Sequence, residues 1–446
     1  MSGVTDRRAN PPVDRPRRAA YDLLRAVATR SAYANLVLPK LLRDRRIVGR
    51  DAAFATELGY GTLRAQGTLD AVLVRCADRD LSTVDPDVLD VLRLGAYQLL
   101  RMRVPAHAAV SATVDVAPRR AAGFVNAVLR KVSRSDYDGW VERIAPPYDA
   151  DPLGHLAIRY AHPEWIVVAF RDALGGDLEQ TAAALAADDA PAAVHLVARD
   201  DRDKIAAEVG GTPGPWSDLA VHLGGGDPGA LEAIRDGRAR VQDEGSQLVA
   251  LAAGRVEVVG SDARWLDLCA GPGGKAALLG QLAEGRGARI TALEPHPHRA
   301  ELTRHACAGL PVDVIEGDGT SYEGRDFDRV LVDAPCSGLG ALRRRPEARW
   351  RRRPTDLPEL TALQRSLLTA GLGAARPGGI VTYATCSPHP AETRAVVGEV
   401  ARKSGAELLD ARALFPGVPD LGDGPTVQLW PHRHGTDAMF VATLRR

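Results

Sequence analysis

The stretch "ARWLDLCAGPGGKAALL" at residues 263–279 decides the fold of the second half of this chain. It begins with an apolar run of strand length, passes through a glycine-rich turn and ends with the apolar spacing of a helix. Gly271, Gly273 and Gly274 let the backbone turn sharply and approach a ligand where a Cβ would clash. The helix that follows presents its N-terminus to a carboxylate or phosphate. The stretch therefore predicts a strand, a ligand-binding turn and a helix.

Further apolar runs follow at helix-length intervals. They are "ARITALEP" at 288–295, "VDVIEGD" at 312–318, "FDRVLVDAP" at 327–335 and "GGIVTYATCS" at 378–387. Near-continuous apolar strands that alternate with helices indicate a parallel, doubly wound sheet covered on both faces. A last pair of runs, at 426–431 and 438–446, lacks an intervening helix, and we expect it to pair antiparallel at the sheet edge.

The first half of the chain has a helical texture. Apolar residues recur every three or four positions, as in "VDPDVLDVLRLGAYQLL" at 84–100, with almost no β-branched alternation. A proline-rich break at 145–152 reads as a linker. The predicted fold class is therefore α + α/β: an all-helical domain over 17–140, a small α/β subdomain over 155–240, and a Rossmann-like doubly wound domain over 241–446.

Composition narrows the class of protein. The chain has 446 residues, 45% of them hydrophobic and 26% charged, which excludes a disordered or collagen-like protein and favours two or three globular domains. No apolar run reaches the roughly 18 residues that span a membrane, and the basic start lacks the apolar segment of a secretory signal, so we expect a cytoplasmic protein. Five scattered cysteines, with no CxxC pair or histidine cluster, predict neither a disulfide framework nor a metal site.

The formal net charge is zero, but two islands are strongly basic. Residues 1–50 contain twelve Lys or Arg against four Asp, and residues 343–353, "RRRPEARWRRR", contain seven Arg and one Glu. Such islands favour a nucleic-acid partner, although each alone could be a solvated, salt-bridged surface. The candidate RNA contacts of the second island are Arg343, Arg344, Arg345, Arg349 and Trp350. Its arginines would neutralise phosphates, and its tryptophan would stack on a base or pack the loop.

Acidic residues end three of the predicted strands after the glycine-rich turn. Glu294, Asp318 and Asp333 stand at carboxyl ends, which form the ligand crevice of a doubly wound sheet. An acid after the second strand can accept both ribose hydroxyls, whereas any one of these residues alone could be an ordinary cap. The turn has neither the GxxxxGK[ST] spacing of a nucleotide triphosphatase nor GxGxxG, which weakens a dehydrogenase.

Two cysteines stand in matching frames, "VDAPCSGLG" at 332–340 and "YATCSPHP" at 383–390, and a serine follows each. Both could be buried packing residues, but their positions at strand ends favour chemistry. A thiolate that adds to carbon 6 of cytosine turns the ring into an enamine, whose carbon 5 can attack a methyl group. Asp333 and Lys275 are candidates for gripping the base. These arguments leave open which of Cys336 and Cys386 is the nucleophile.

The motifs "LCAGPGGK", "VDAPCSGLGALRRRPEARW" and "YATCS" resemble those of the Sun-type RNA cytosine-5 methyltransferases. "VQDEGSQLVA" at 241–250 resembles the segment that leads into their catalytic domain. The segments "YANLVLPKLL", "LGYGTLR", "LRLGAYQLL" and "FVNAVLRK" resemble the helical RNA-binding domain shared with the antitermination factor NusB. The combination is similar to bacterial members of the family that act on 16S ribosomal RNA, and the resemblance covers nearly the whole chain.

This resemblance implies a role for each matching residue. Cys386 would be the nucleophile, and Cys336 would help to resolve the covalent adduct. S-adenosylmethionine would be bound by Cys269, Ala270, Gly271, Pro272, Gly273, Gly274, Lys275, Glu294, Asp318 and Asp333. The family loop commonly has alanine in place of Gly271 and aspartate in place of Glu294, and "VHLVARD" at 194–200 lacks the Arg-Val-Asn signature of the small subdomain.

Several other functions compete with this one. Cytosine methylation of DNA is disfavoured by the Thr-Cys-Ser motif and the lack of a large insertion, and amino-group methylation by "DAPC" at 333–336. Methylation of another RNA such as tRNA stays open. A non-catalytic ribosome-assembly or antitermination factor would predict decayed cofactor and cysteine positions. Because the target carbon is hidden in a stacked duplex, we expect the substrate to be 16S RNA before the subunit is fully assembled.

Overall fold

The computed structural model describes residues 14–446. Residues 1–13, with part of the basic N-terminal island, lie outside the described residues. The chain divides into two compact units, which we describe separately. The helical unit comprises residues 14–168, 189–191 and 342–351. The second unit, which we call the sheet unit, comprises residues 169–188, 192–341 and 352–446.

The helical unit has the all-helical architecture predicted from the sequence. Its helices are α1 (Arg15–Arg30), α2 (Ala34–Asp44), α3 (Gly49–Ala77), α4 (Pro86–Arg101), α5 (Ala106–Val114), α6 (Ala122–Val132), α7 (Tyr137–Ile144) and α8 (Pro152–Arg159). Helix α4 shows why the sequence folds this way. Asp85 accepts a hydrogen bond from the Asp87 backbone N–H and caps the helix before Pro86. Leu92 and Ala96, one turn apart, are fully buried in the unit's core.

The sheet unit contains a small antiparallel sheet. The elements of this region are α9 (Glu164–Ala173), which spans the division between the units, α10 (Leu178–Asp188), β1 (Val194–Ala198), α11 (Arg202–Val209), β2 (Thr212–Pro213), β3 (Ala220–Leu223), α12 (Glu232–Arg235) and β4 (Ala239–Val241). The strand order is β2-β3-β1-β4. The strand and helix predicted at 192–209 are therefore present as β1 and α11.

A large mixed sheet and its helices form the rest of the sheet unit. Its elements are α13 (Glu244–Arg255), β5 (Arg264–Asp267), α14 (Gly274–Glu284), β6 (Arg289–Glu294), α15 (Pro297–Ala306), β7 (Val312–Glu316), β8 (Phe327–Asp333), α17 (Leu357–Ala374), β9 (Ala375–Thr385), α18 (Arg394–Ser404), β10 (Glu407–Leu409), β11 (Val427–Gln428), α19 (Pro431–His434) and β12 (Phe440–Arg445); α16 (Ala348–Arg351) belongs to the helical unit. The strand order is β10-β12-β9-β8-β5-β6-β7, with β11 paired to β12.

The predicted sheet is confirmed. Strands β5 to β9 are parallel, and β8 is buried along nearly its whole length, since apolar clusters cover both faces of the sheet. The last two runs pair antiparallel as expected, but β12 lies between β9 and β10 instead of at the edge. The edge strand β10 has only three residues, too few to give a periodic signal.

None of the helices described over residues 14–446 is long and apolar enough to cross a membrane. The five cysteines all lie in the described range, and none of them forms a disulfide.

Candidate active site

The glycine-rich turn joins β5 to α14 in a conformation that depends on its glycines. Gly273 has φ +104° and stands at the N-cap of α14. A Cβ at this position would lie 2.7 Å from the Cβ of Ala306 and 2.9 Å from the Cα of Thr303. The turn therefore packs directly on α15, and only glycine satisfies both its space and its φ.

Gly271 makes room for the carboxylate that ends β6. A Cβ at residue 271 would overlap Oε2 of Glu294. The buried Glu294 carboxylate accepts hydrogen bonds from the backbone N–H and the ring Nδ1 of His296. Arg299 lies 3.4 Å from Oε2 and donates to the Gly271 carbonyl at 2.6 Å. The sequence argument missed His296 and Arg299, because nothing in their spacing identifies them as neighbours of the turn.

Asp267 ends β5 and is completely buried. Its Oδ1 accepts from the Cys269 backbone N–H at 3.2 Å, whereas its buried Oδ2 has no hydrogen-bond partner among the described residues. Burial, and then the charge of Asp333, raise the Asp267 pKa from 3.8 to about 7. A buried acceptor of this kind fits a ligand that carries an amino or ammonium donor.

Asp267 should make stability depend on pH. Because its pKa is higher in the folded chain than in the unfolded one, its stabilising effect is complete below about pH 4 and is lost as the pH rises to about 7. Asp267→Asn removes this dependence. We expect the free energy of unfolding of the variant, relative to wild type, to rise by up to about 4 kcal/mol as the pH goes from about 4 to about 7. Urea unfolding at each pH measures it. The exposed Asp313→Asn is the control, and parallel pH curves for wild type and Asp267→Asn would contradict the assignment.

Two other predicted cofactor residues have structural partners. Asp318 is exposed and accepts from the Thr320 backbone N–H and hydroxyl, so its Oδ1 holds the turn after β7. The pKa of the Cys269 thiol is raised well above its usual value by burial and by the charges of Asp267 and Asp333. Cys269 therefore lines the turn as an inert thiol.

Lys275 and Asp333 form an ion pair in the predicted crevice. The Lys275 Nζ lies 2.8 Å from the Asp333 Oδ2. Burial by itself lowers the Lys275 pKa, but the charge and hydrogen bond of Asp333 and an interaction with Cys386 outweigh it, so the net shift is upward. Lys275 therefore stays protonated at neutral pH and places a positive charge near Cys386.

The two cysteines predicted at strand ends meet. The Cys336 Sγ, after β8, lies 3.4 Å from the Cys386 Sγ, after β9. A hydrogen bond to Cys386, burial, and the charges of Cys386 and Glu392 raise the Cys336 pKa well above its usual value. The raised pKa favours the protonated thiol at Cys336. The positive charge of Lys275 interacts with Cys386.

Backbone contacts join the loops that carry the two thiols. The Gly340 N–H donates to the Cys386 carbonyl at 2.9 Å, and the Gly340 carbonyl accepts from the Ala438 N–H at the same distance. Arg352 donates to the Ser337 carbonyl at 3.1 Å. A buried carboxylate, Glu392, also contacts both loops. Sequence reasoning missed Glu392, and the only trace of it was the serine after each cysteine.

Part of the arginine-rich segment at 343–353 packs inside the helical unit, whereas the sequence predicted that it contacts RNA. Arg349 is fully buried and donates to the carbonyls of Arg64 and Ala161, all within the helical unit. The Trp350 indole N–H donates to the Leu63 carbonyl at 2.8 Å. These contacts correct the expectation that Arg349 binds phosphate, because its buried guanidinium donates to backbone carbonyls. Trp350 packs within the protein, which was one of its two predicted roles.

The remaining arginines of this segment differ in exposure. Arg343 is buried, Arg344 is half-buried, and Arg345 is exposed with its guanidinium over the Tyr33 ring. Arg351 donates to the Val27, Ser31 and Ala32 carbonyls. Composition predicted an exposed basic surface, whereas Arg349 and Arg351 donate hydrogen bonds to backbone carbonyls within the helical unit. Arg344 and Arg345 stay candidates for RNA contact.

A possible metal-ligand set lies by the small sheet. Ligand atoms of His195, His222 and Glu244 lie within 4.8 Å of one another. The buried Glu244 carboxylate already accepts from the Trp216 and Ser217 N–H groups, both at 2.8 Å, and lies 2.7 Å from the His222 Nε2. These hydrogen bonds account for the cluster as a structural network.

Sequence comparisons place the chain among known methyltransferases. Residues 258–445 match the 16S rRNA methyltransferase RsmB/F family, and residues 14–134 match the NusB family. A methyltransferase of Mycobacterium tuberculosis strain H37Rv is 57% identical over 98% of this chain and 97% of its own length. Ribosomal RNA small subunit methyltransferase B of Pseudomonas putida is 33% identical over 89% of this chain and 91% of its own.

Solved structures share the fold at lower identity. PH0851 has a TM-score of 0.80 at 20% identity, over 97% of this chain and 99% of its own. NSun6 from Pyrococcus horikoshii, solved with SFG, has a TM-score of 0.55 at 19% identity, over 64% of this chain and 98% of its own. The sequence matches extend over both units, and the predicted family is confirmed. The chain belongs to the RsmB/F family of methyltransferases and carries an N-terminal domain of the NusB family.

Proposed function

We propose that this protein methylates carbon 5 of a cytosine in 16S ribosomal RNA through a covalent adduct at Cys386. Membership of the RsmB/F family makes it a methyltransferase that uses S-adenosylmethionine and acts on RNA. The ribosomal substrate is supported by relatives named for the small ribosomal subunit. The cytosine and the adduct are our inference from the site.

One observation carries the proposal: two thiols lie 3.4 Å apart at the carboxyl ends of β8 and β9, beside the Lys275–Asp333 pair. A methyltransferase that acts on an oxygen or an exocyclic nitrogen has no need of a thiol nucleophile. Carbon 5 of cytosine does need one, since it becomes nucleophilic only after addition at carbon 6.

The crevice residues fit the cofactor. Three groups offer hydrogen-bond acceptors for ribose hydroxyls and for an amino group. They are the Gly271 carbonyl, the buried Glu294 carboxylate, and the Asp267 Oδ2, which has no partner among residues 14–446. The cofactor-binding residues of the proposal are Cys269, Ala270, Gly271, Pro272, Gly273, Gly274, Lys275, Glu294, Asp318 and Asp333, joined by Asp267. When bound, S-adenosylmethionine supplies an electrophilic methyl group.

The protein's own groups perform the other steps. The Cys386 sulfur forms a bond to carbon 6 of the cytosine, and the ring electron density moves toward N3 and carbon 5. Asp333 and the protonated Lys275 hold the ring at its exocyclic amino and N3 edge. The carboxylate accepts from the amino group, and the positive charge of Lys275 stabilises the developing negative charge. Carbon 5 would then form a bond to the methyl group of the cofactor, and the electron pair of the broken methyl–sulfur bond would stay on the cofactor's sulfur.

Product release reverses the addition. A base removes the proton from carbon 5, the electrons of that C–H bond form the C5–C6 double bond, and the sulfur of Cys386 leaves as a thiolate. Cys336 is placed to assist, because its sulfur lies 3.4 Å from that of Cys386 and its raised pKa favours a thiol that can protonate the departing sulfur. The two thiols therefore have different roles, which their sequence frames alone did not separate.

We also propose how the chain divides its tasks. The helical domain over 17–140 binds RNA, the small α/β subdomain over 155–240 is the linker, and the domain over 241–446 performs methyl transfer. Arg344 and Arg345 are the arginines of the 343–353 island that we assign to RNA. The enzyme must reach carbon 6 of the cytosine. We therefore propose that it acts on 16S RNA before the subunit is completely assembled, while the cytosine is still accessible.

Gly271 and Glu294 should act as a matched pair. Gly271→Ala pushes the Glu294 carboxylate out of place, and we expect cofactor affinity to fall about 100-fold, about 2.7 kcal/mol, in calorimetric titration with S-adenosylmethionine. Adding Glu294→Asp, one methylene shorter, should restore at least about tenfold of that loss.

Gly398→Ala is the control for the glycine pair, since a Cβ there meets nothing within 4 Å. A double variant no better than Gly271→Ala would contradict the pairing.

The function is tested with the purified full-length chain, 16S RNA and labelled S-adenosylmethionine. The RNA is digested to nucleosides, which are separated and identified by mass spectrometry. The proposal predicts label in 5-methylcytidine and more of it with 16S RNA than with 23S RNA or tRNA. Label in a different nucleoside would overturn the chemistry, and preferential labelling of tRNA would overturn the substrate.

A further inference from the structure

The carboxylate of Glu392 is fully buried close to the two thiols. Its Oε1 accepts from the Ser337 backbone N–H at 2.7 Å and from the Gln364 Nε2 at 3.1 Å. Its Oε2 accepts from the hydroxyls of Ser337 and Ser387, the latter at 2.6 Å. Burying a carboxylate costs free energy unless hydrogen bonds replace those it made to water. Four hydrogen-bond donors do so for Glu392.

The four donors come from three separate segments of the chain: the loop after β8, the loop after β9 and helix α17. Ser337 follows Cys336 on the loop after β8, Ser387 follows Cys386 on the loop after β9, and Gln364 belongs to α17. The two serine hydroxyls also lie 3.1 Å from each other. Gln364 donates a second bond, at 2.9 Å, to the Pro335 carbonyl just before Cys336. One carboxylate thus ties both cysteine loops to one helix.

This arrangement explains why a serine follows each cysteine in the sequence. We propose that Glu392, with Ser337 and Ser387, is a positioning clamp that aligns the Cys336 and Cys386 sulfurs. The clamp rests on the proposed function for its purpose, but its geometry is independent of the substrate.

The clamp is also electrostatically asymmetric. The negative charge of Glu392 acts on Cys336, and the positive charge of Lys275 interacts with Cys386. A negative charge disfavours a thiolate and a positive charge favours one. The Glu392 charge therefore favours the protonated thiol at Cys336.

The test is the alkylation of each cysteine in the full-length protein, without RNA or cofactor. Iodoacetamide is applied at pH 6 to 9, and peptides containing Cys336 and Cys386 are quantified by mass spectrometry. In wild type we expect Cys386 to react at least about tenfold faster, because thiolate is the reactive form. In Glu392→Gln we expect the ratio of the two rates to fall about tenfold, which corresponds to one pKa unit of thiol preference.

The matched control is Glu244→Gln. Glu244 is equally buried and accepts hydrogen bonds from two backbone N–H groups and His222, but it stands beside the small sheet. Its substitution should destabilise the fold without changing the alkylation ratio. An unchanged ratio in Glu392→Gln, or an equal change in Glu244→Gln, would overturn the clamp.

A second variant covers the case in which Glu392→Gln does not fold. Ser337→Ala combined with Ser387→Ala keeps the carboxylate but removes two of its donors. We expect kcat for RNA methylation to fall about tenfold with KM unchanged, since alignment of the sulfurs, not substrate binding, is lost. A rise in KM at constant kcat would contradict a positioning role. The alkylation ratio needs no methyl transfer, so the clamp and the proposed function can fail separately.

Discussion

Cys386→Ala abolishes methyl transfer, with a rate at least about a thousandfold below wild type, or about 4 kcal/mol of lost transition-state stabilisation. The reason is chemical: without addition at carbon 6, carbon 5 of cytosine is not a nucleophile. The neighbouring Cys336 is a poor replacement, because burial and the charge of Glu392 favour its protonated form. Transfer of labelled methyl to 16S RNA under single-turnover conditions measures the effect.

A cysteine elsewhere in the same unit serves as the control for this loss. Cys307 is buried in a separate apolar cluster, and burial raises its pKa to about 12. Cys307→Ala should keep the wild-type rate. An active Cys386→Ala protein would contradict the assignment of the nucleophile.

Cys336→Ala should trap the enzyme on its RNA. Cys336 lies 3.4 Å from Cys386, the proposed nucleophile, and its raised pKa favours a protonated thiol. Removing it should leave the addition step intact and slow the elimination step. We expect turnover to fall about 100-fold, as when a general acid or base is lost, and a covalent protein–RNA complex to accumulate. A denaturing gel of enzyme mixed with 16S RNA and S-adenosylmethionine shows the complex as a shifted band.

The trapped complex has its own control. Cys336→Ala combined with Cys386→Ala should give no shifted band, since the attacking sulfur is gone. If Cys386→Ala gave the shifted band and Cys336→Ala did not, the roles of the two cysteines would be exchanged, as the sequence frames alone allowed.

The sheet and the cysteine positions could be predicted because they depend on local pattern. Apolar runs such as 327–333 mark buried parallel strands, and parallel strands bring their carboxyl ends together, so residues after β8 and β9 had to be neighbours. The same logic placed Lys275 and Asp333 in one crevice. What it could not provide was distance, and the 3.4 Å between the two sulfurs comes from the structure alone.

Other features depend on contacts between distant parts of the chain. Glu392 follows a proline-rich loop and has no periodic signal, yet it accepts from Ser337, 55 residues earlier in the sequence. Arg349 looks like part of an exposed basic run, but its guanidinium is buried against carbonyls of α3 and of the turn after α8. Composition predicts exposure for arginine, and tertiary packing overrides that expectation here.

Bisulfite sequencing of 16S ribosomal RNA tests the central claim most directly. Cells that lack this protein are complemented with wild type, Cys386→Ala or Cys336→Ala, and the RNA of each strain is compared. We predict that one cytosine loses its methylation in the deletion strain, that wild type restores it fully, and that Cys386→Ala restores none. A 16S profile that is the same with and without the protein would contradict the account.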